Sequence, residues 1–254
     1  MCKSWFCVGM GWLPMSVAIM VAATFTISYC ISVGLGHVPA EFPYISDTGT
    51  YIPESCIFGQ LLNITAALAF ATIYVRYKQV QEYNREASPA ILRANKIALV
   101  IGGFACLGMS MVANFQEGRI LFAHLFGAFM CFGCGVVYEF MHALIPCEMR
   151  VGYPPASTRR VRLLLAFIGL VGLICTSVFA ALANTKWHGD DQTKWKPEDG
   201  GFTEHIFSTA FEWVLAISFL SYFFTFVREF QKITMETTLR MYTEELEPIN
   251  HPEI

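Results

Sequence analysis

Long apolar stretches without Asp, Glu, Lys or Arg recur along the whole chain, and they determine the predicted fold. A helix that crosses the hydrocarbon core of a bilayer needs about 20 mostly apolar residues. Such a helix also pairs its own backbone groups, which lipid would otherwise leave without partners. Four stretches contain no charged residue and two contain a single one, Glu139 or Glu212; they are 4–40, 55–75, 97–116, 120–144, 163–185 and 205–227.

This pattern predicts an all-α integral membrane protein, a bundle of six transmembrane helices. The predicted domain organisation is a six-span membrane domain over residues 1–233, followed by a cytoplasmic tail over 234–254. A cleaved signal peptide is the alternative for the first stretch, but that stretch exceeds the usual apolar region of about 7 to 15 residues. The predicted spans are 12–34, 57–74, 97–112, 120–144, 161–182 and 206–226.

The distribution of basic residues predicts the orientation of the bundle. Cytoplasmic loops of membrane proteins retain an excess of Lys and Arg. Of the 17 Lys and Arg residues, all but Arg119, Lys186, Lys194 and Lys196 fall on the side that holds both termini. We therefore expect cytoplasmic N- and C-termini and three outer connections. Acids outnumber bases in these outer connections, and we expect the acids to be solvated, with pKa values that hardly change on folding.

Composition narrows the function further. The formal charge of −3 is too small to favour nucleic acid as a partner. The chain has no phosphate-binding glycine loop, nucleophile elbow or HExxH motif. The sequence therefore predicts a non-enzyme without a cofactor or a bound metal.

The polar residues inside the predicted spans are the candidate sites that physical chemistry alone provides. A charged side chain at the centre of a bilayer costs about 2.5 kcal/mol or more on insertion scales. Glu139 has His142 on the same helical face, whereas Glu212 lies beside Trp213 at the other end of the bundle. Two interpretations stay open, a transport or proton-relay role and a structural one. In the structural one, Glu139 reaches the interface or pairs with a basic residue such as Arg162, and Glu212 binds a polar group of a neighbouring helix.

Two further patterns concern packing between helices. Asn63 begins an N-x-T glycosylation sequon, but it falls inside the second span, so we expect it to form hydrogen bonds between helices and to stay unglycosylated. Gly127, Cys131 and Gly135 follow one another at intervals of four residues. We expect this row of small residues to let another helix of the same bundle approach closely.

Several motifs of the connections and span ends resemble those of one family. The first outer connection reads FPYISDTGT over 42–50, which includes Asp47, Thr48 and Gly49, and PESCIFG over 53–59. The other motifs are ATIYVRYK over 71–78, VANFQ over 112–116, WKPED over 195–199, and Glu212 with Trp213 followed by FTF over 224–226. From about residue 12 to 233, the sequence resembles the damage-regulated autophagy modulator (DRAM) family within the broader Frag/DRAM/Sfk group.

The resemblance implies a six-span protein of lysosomal or other endomembranes that promotes autophagy and, in some members, cell death. It brings no catalytic residues. We expect a regulator in the lysosomal membrane whose partners are membrane lipids and unidentified autophagy or lipid-kinase machinery on the cytoplasmic face. The alternatives are a plasma-membrane adaptor for phosphoinositide 4-kinase signalling, an ion channel or transporter, and a lipid-remodelling enzyme. The alternative locations are the plasma membrane and the Golgi.

Overall fold

The structure is a computed structural model that describes residues 9–84, 89–145 and 154–236. These residues form helices and connecting turns and contain no strand. Six helical segments are long and apolar enough to cross a membrane, which confirms the predicted all-α, six-span fold. Their elements are α1 (Trp12–Gly34), α2 (Glu54–Tyr83), α3 (Pro89–Asn114), α4 (Leu121–Ala128), a π-helix (Phe129–Cys134), α5 (Gly135–Leu144), α6 (Ala156–Lys186), α7 (Phe202–Phe224) and α8 (Val227–Phe230).

Several helices continue beyond the limits that the apolar pattern sets. α2 runs on to Tyr83, so Arg76 lies within a helix rather than in a connection, and α6 begins at Ala156, more than a turn before Arg162. A charged residue ends a hydrophobic stretch but does not end a helix, because Arg is a good helix former. Of the predicted tail, residues 237–254 lie outside the described part of the chain.

The fourth span is not one uniform helix. A π-helical segment at Phe129–Cys134 separates α4 from α5. Such segments are rare and change the register of the helix that contains them. The row of small residues is accordingly divided: Gly127 lies against Gly108 and Met111 of α3, whereas Gly135 lies against the ring of Phe219 in α7.

The helices run alternately up and down, so the connections collect at two ends. We call the end that carries residues 35–53, 115–120 and 187–201 the cap end, and the opposite end, which carries Gly11, Asn84, Ile145 and Gln231, the tail end. The residues 35–53 form the cap, a segment with a short 3₁₀ turn at Asp47–Gly49. α6 packs mainly on α7, and α2 packs on α1 and α3.

The core follows the axis of the bundle, and apolar side chains also cover its outside. Val17, Ile73 and Tyr138 are buried at the centre, whereas Phe104, Phe167 and Ile217 are each at least half exposed. Large exposed apolar side chains on every side of a helical bundle are typical of a protein whose solvent is lipid.

Candidate functional site

The cap is fastened to the bundle by hydrogen bonds from several helices. Trp213 Nε1 donates to the carbonyl of Pro43 at 3.0 Å, and Tyr44 Oη donates to Ser208 Oγ at 2.7 Å. Ser46 Oγ donates to Glu117 in the second connection at 2.6 Å. The sequence therefore folds residues 35–53 into an ordered cover over this end of the bundle, because each contact satisfies a polar group away from water.

Glu212 also binds the cap to α7. Its Oε2 accepts a hydrogen bond from the backbone N–H of Ile45 at 2.7 Å. The expectation that Glu212 binds a polar group of a neighbouring helix is wrong, because its partner is the backbone of the cap. The motif residues Glu212 and Trp213 thus hold consecutive parts of the cap, one through a carboxylate and the other through an indole N–H.

The other candidates of the first connection are buried in the same region. Thr48 Oγ1 donates to the carbonyl of Ile45 at 2.7 Å and lies 3.0 Å from Ser28 Oγ of α1. The ring of Phe58 occupies the space where Gly49 would carry a side chain, since a Cβ at this position would lie 2.5 Å from the ring. Close approach, rather than an unusual backbone angle, therefore requires the glycine.

The expectation of solvated outer acids is wrong for two of them. Asp47 is 4% exposed and Glu54 is fully buried, with His37 Nδ1 at 2.5 Å from Glu54 Oε1. Burial raises the pKa of Asp47 well above its ordinary value, and the carboxylates of Glu117, Glu212 and Asp191 raise it further, while the N–H of Tyr44 acts in the opposite direction. Folding of the cap removes these groups from water, which the sequence pattern does not indicate.

Asn63 forms the hydrogen bonds between helices that the sequence predicts. Its side chain donates to Asn114 Oδ1 at 3.1 Å and accepts from Ser110 Oγ at 2.7 Å, and both partners are on α3. It also donates to the carbonyl of Gly59 in its own helix. The sequon residue thus joins α2 to α3 near the cap end.

Glu139 and His142 lie near the tail end and are almost fully buried. Neither oxygen of Glu139 and neither ring nitrogen of His142 has a hydrogen-bond partner among the described residues. The expected pairing of Glu139 with Arg162 is wrong, because Arg162 binds a different carboxylate. The ring of His142 instead lies 4.5 Å from that of Tyr138.

That carboxylate belongs to Glu229 in α8, a residue that the sequence patterns did not single out. Glu229 Oε2 lies 2.7 Å from Arg76 Nη1, and Oε1 lies 2.5 Å from Arg162 Nη2. The guanidinium groups of Arg76 and Arg162 also lie over the ring of Phe226, at 5.3 and 4.3 Å from its centroid. All three charged side chains are at most 3% exposed, so one acid shared by two arginines joins α2, α6 and α8.

One sequence signal could have indicated this buried triad. Glu229 follows Phe226 by three residues, a spacing that places the two on one helical face, and it directly precedes Phe230; both rings are fully buried. An acid within an aromatic face needs a cationic partner inside the fold. The choice of Arg76 and Arg162 as partners depends on how three helices pack, and no local pattern provides that.

The polar groups at the two ends have structural contacts: at the cap end they bind the cap to the bundle, and at the tail end they join three helices. Among the described residues no group of three or more His, Cys, Asp or Glu side chains has the geometry to hold a metal ion. The carboxylates of Glu117 and Glu212 at the cap end accept hydrogen bonds from the cap, and at the tail end two arginines share one carboxylate. The geometry thus supports an ordered scaffold whose two ends carry different polar chemistry.

Comparisons with known proteins agree with this architecture. A family model described as the Frag1/DRAM/Sfk1/Cwh43P N-terminal domain matches residues 9–233. The chain is 41% identical over 244 residues to the DNA damage-regulated autophagy modulator protein 2 of Bos taurus, covering 94% of this chain and 91% of the relative. It is 40% identical to the human protein of the same name, covering 94% and 90%, and 37% identical to human DNA damage-regulated autophagy modulator protein 1, covering 93% and 95%.

No solved structure matches the chain. The family assignment therefore rests on the sequence, through the family model over residues 9–233 and through relatives that align over nearly their whole length. The chain belongs to the Frag1/DRAM/Sfk1/Cwh43p family.

Proposed function

We propose that this protein is a non-catalytic modulator of autophagy that acts from the lysosomal membrane and promotes autophagic flux. The observation that carries the proposal is the 40 to 41% identity, over 94% of this chain, to proteins named DNA damage-regulated autophagy modulators. Identity over nearly the full length means that the cap, the six helices and the tail-end triad all fall within the matched region. The proposal extends to cell death as a second output.

The tail end supplies the surface for such a role. With the termini in the cytoplasm, as the basic residues indicate, this end faces the autophagy machinery. The triad of Arg76, Glu229 and Arg162 fixes α8 against α2 and α6. The segment that follows Phe230 therefore leaves the bundle at a defined position, where a cytoplasmic partner can bind it.

The cap end suits an acidic compartment. Because the folded-state pKa of Asp47 lies above its ordinary value of 3.8, the folded chain holds this proton more tightly than the unfolded chain does. The resulting stabilisation is complete below about pH 3.8 and is lost as the pH rises through the folded-state pKa. This cap is thus favoured by an acidic lumen, which supports the lysosomal location.

The test combines location with flux in cells that lack the endogenous chain. A tagged full-length copy should overlap with lysosomal markers, and it should restore the starvation-induced turnover of autophagosome markers, measured with and without an inhibitor of lysosomal degradation. A matched copy lacking residues 237–254 keeps all of the described bundle and examines whether the tail is needed. Location at the plasma membrane, unchanged flux and altered phosphatidylinositol phosphate levels would instead support the lipid-kinase adaptor.

A further inference from the structure

Two cavities meet at the cap end. The larger one, which we call the vestibule, has a volume of about 510 Å³ and lies between α4 and α6, under the cap. Ligand pockets in proteins commonly have volumes of about 300 to 1,000 Å³, so the vestibule can hold a small molecule or a lipid head group. Its polar lining includes Tyr44, Asp47, Glu117, Thr193, Trp195 and Glu212.

The second one, which we call the inner cavity, is narrow and apolar, with a volume of about 100 Å³ along the axis of the bundle. Its apolar lining extends from Phe25 and Ile45 at the cap end to Leu220 and Phe223 deep in the bundle. From Glu212 to Phe223 the axis of α7 covers roughly 16 Å, at about 1.5 Å per residue. The chemistry of this lining suits the apolar part of a membrane molecule.

The two cavities share part of their walls. Five residues line both of them: Ser46, His124, Ala128, Phe132 and Glu212. Glu212 therefore stands at the junction, with the polar vestibule on one side and the apolar inner cavity on the other. A single elongated molecule with one polar end and one apolar end would use both.

The vestibule also borders the membrane. Leu125 of α4 and Phe129 of the π-helical segment line it and are 53% and 70% exposed, and Ala181 lines it from α6 and is also exposed. In a bundle surrounded by lipid, exposed apolar side chains at a gap between two helices face the bilayer. A molecule dissolved in the membrane can therefore reach the vestibule sideways, without passing the cap.

The charge of the vestibule indicates which polar end it accepts. Asp47, Glu117 and Glu212 contribute three carboxyl groups, and no Lys or Arg of the described residues lines the cavity. The only basic side chain in the lining, among the described residues, is His124, whose Nε2 lies 3.8 Å from Glu117 Oε2. A bound ammonium group favours the ionised form of nearby carboxyls, Asp47 included, and so offsets the effect of burial on them. Glu212 Oε1 and Glu117 Oε1 accept no hydrogen bond from the described residues, since the bonds from Ile45 and Ser46 use the other oxygens. Tyr44 and Trp195 add aromatic rings, which attract ammonium groups by cation–π interaction.

We propose that the vestibule and the inner cavity form one binding site for a membrane amphiphile with a cationic ammonium head group and a hydrocarbon chain. The head group lies among Asp47, Glu117 and Glu212 beside the rings of Tyr44 and Trp195. The chain enters the inner cavity past Ala128 and Phe132. This site goes beyond the proposed role in autophagy, and the purified protein is sufficient to test it.

The experiment uses the purified full-length chain in non-ionic detergent and three photoactivatable probes of equal chain length. One is a long-chain amine of the sphingosine type, one is the corresponding alcohol, and one is the corresponding carboxylic acid. The amine should label the protein about tenfold more than the alcohol does, which corresponds to about 1.4 kcal/mol of binding free energy. Labelled peptides should come from α4, α7 or the cap.

Variants separate the head-group contribution from the chain contribution. Glu117→Gln and Glu212→Gln should each lower amine labelling about tenfold. The control Glu204→Gln should leave labelling unchanged. Glu204 pairs with Lys186 at the same end of the bundle but does not line either cavity. Ala128→Phe should block the junction and lower labelling by all long-chain probes. Size-exclusion chromatography confirms that each variant is folded, and Glu117, which is partly exposed, provides the variant least coupled to folding.

Three results would overturn the proposal. Equal labelling by amine, alcohol and acid would show that the acidic side chains do not select the head group. Undiminished labelling of folded Glu117→Gln and Glu212→Gln would show that the probe binds elsewhere. Competition by free choline as strong as competition by the unlabelled long-chain amine would show a site for a soluble cation, which needs neither the inner cavity nor the opening to the membrane.

Discussion

Replacing Glu229 by Gln should strongly destabilise the bundle. The carboxylate is the shared counter-ion of two guanidinium groups, with Arg76 Nη1 at 2.7 Å and Arg162 Nη2 at 2.5 Å. Both arginines are at most 1% exposed, so water cannot take over the role of the carboxylate. The amide of Gln keeps the shape of the side chain but leaves two buried positive charges without a counter-ion.

The magnitude follows from the burial of all three groups. Removing one partner of a buried ion pair costs about 3 to 5 kcal/mol, most of it from the charge left behind. For a chain of this size 1 kcal/mol shifts the midpoint of thermal unfolding by about 2 to 4 °C, so we expect a decrease of roughly 6 to 20 °C. The assay is thermal unfolding of the purified protein in detergent, followed by intrinsic fluorescence at fixed detergent and salt concentration.

The matched control is Glu204→Gln. Glu204 pairs with Lys186 at 2.5 Å, but the Lys186 side chain is 56% exposed. Exposed ion pairs contribute little, because solvent screens them and ordering the side chains has an entropic cost. The control should therefore leave the midpoint unchanged within error. A shift for Glu229→Gln no larger than that of the control would refute the claim that the triad holds the tail end together.

The remaining predictions concern the cap end, the sequon and the orientation. Asp47→Asn should remove part of the pH dependence of stability. As the pH rises above the ordinary Asp pKa of 3.8, the native chain should lose stability, because the unfolded chain releases this proton more readily than the folded chain does. The variant should lose less, and equal slopes of the unfolding midpoint against pH would contradict this. Asn63 should carry no glycan, because its side chain binds α3, so endoglycosidase treatment should produce no mobility shift that Asn63→Gln abolishes. Glu212→Gln should be as stable as the native chain, whereas Glu212→Leu should lower the free energy of unfolding by about 1 to 3 kcal/mol, because the N–H of Ile45 then has no acceptor. Equal unfolding midpoints for the two variants would contradict the role of Glu212 as the acceptor for Ile45. A tag at either terminus should be digested by protease added to sealed, right-side-out lysosomes, and protection of either tag would reverse the predicted topology.

The sequence predicts the helices of this fold well, because the bilayer imposes a simple requirement. Each span needs a long apolar run, and all six runs form helices that are long enough to cross. The ends of the helices are less predictable. Arg76 ends an apolar run, yet α2 continues to Tyr83, because Arg is a good helix former and its charge pairs with Glu229 in α8.

Whether the role of a candidate residue could be predicted depends on the kind of partner that it binds. The role of Asn63 is predictable, since a polar amide inside a span must bind another polar group and α3 supplies Asn114 and Ser110. The partner of Glu212 is not predictable, because it is a backbone N–H of the cap rather than a side chain. The burial of Asp47 likewise depends on how the cap folds over the bundle, which no periodic pattern describes.

The motifs that identify the family coincide with contacts that shape the two ends. Trp213 holds Pro43 of the cap, Asn114 binds Asn63, and Arg76 binds Glu229. Sequence resemblance thus marks these positions before their physical roles can be derived. The structure then supplies the reason, because each of these side chains satisfies a polar group that would otherwise be buried alone.

The most direct test of the proposed function is a rescue experiment that distinguishes the effect of lysosomal location from the effect of expression alone. In cells lacking the endogenous chain, one copy is expressed without a targeting change and another carries a C-terminal signal that retains it in the endoplasmic reticulum, at matched levels. If the protein acts from the lysosomal membrane, only the first copy restores the starvation-induced turnover of autophagosome markers. Equal restoration by the retained copy would contradict the lysosomal site of action.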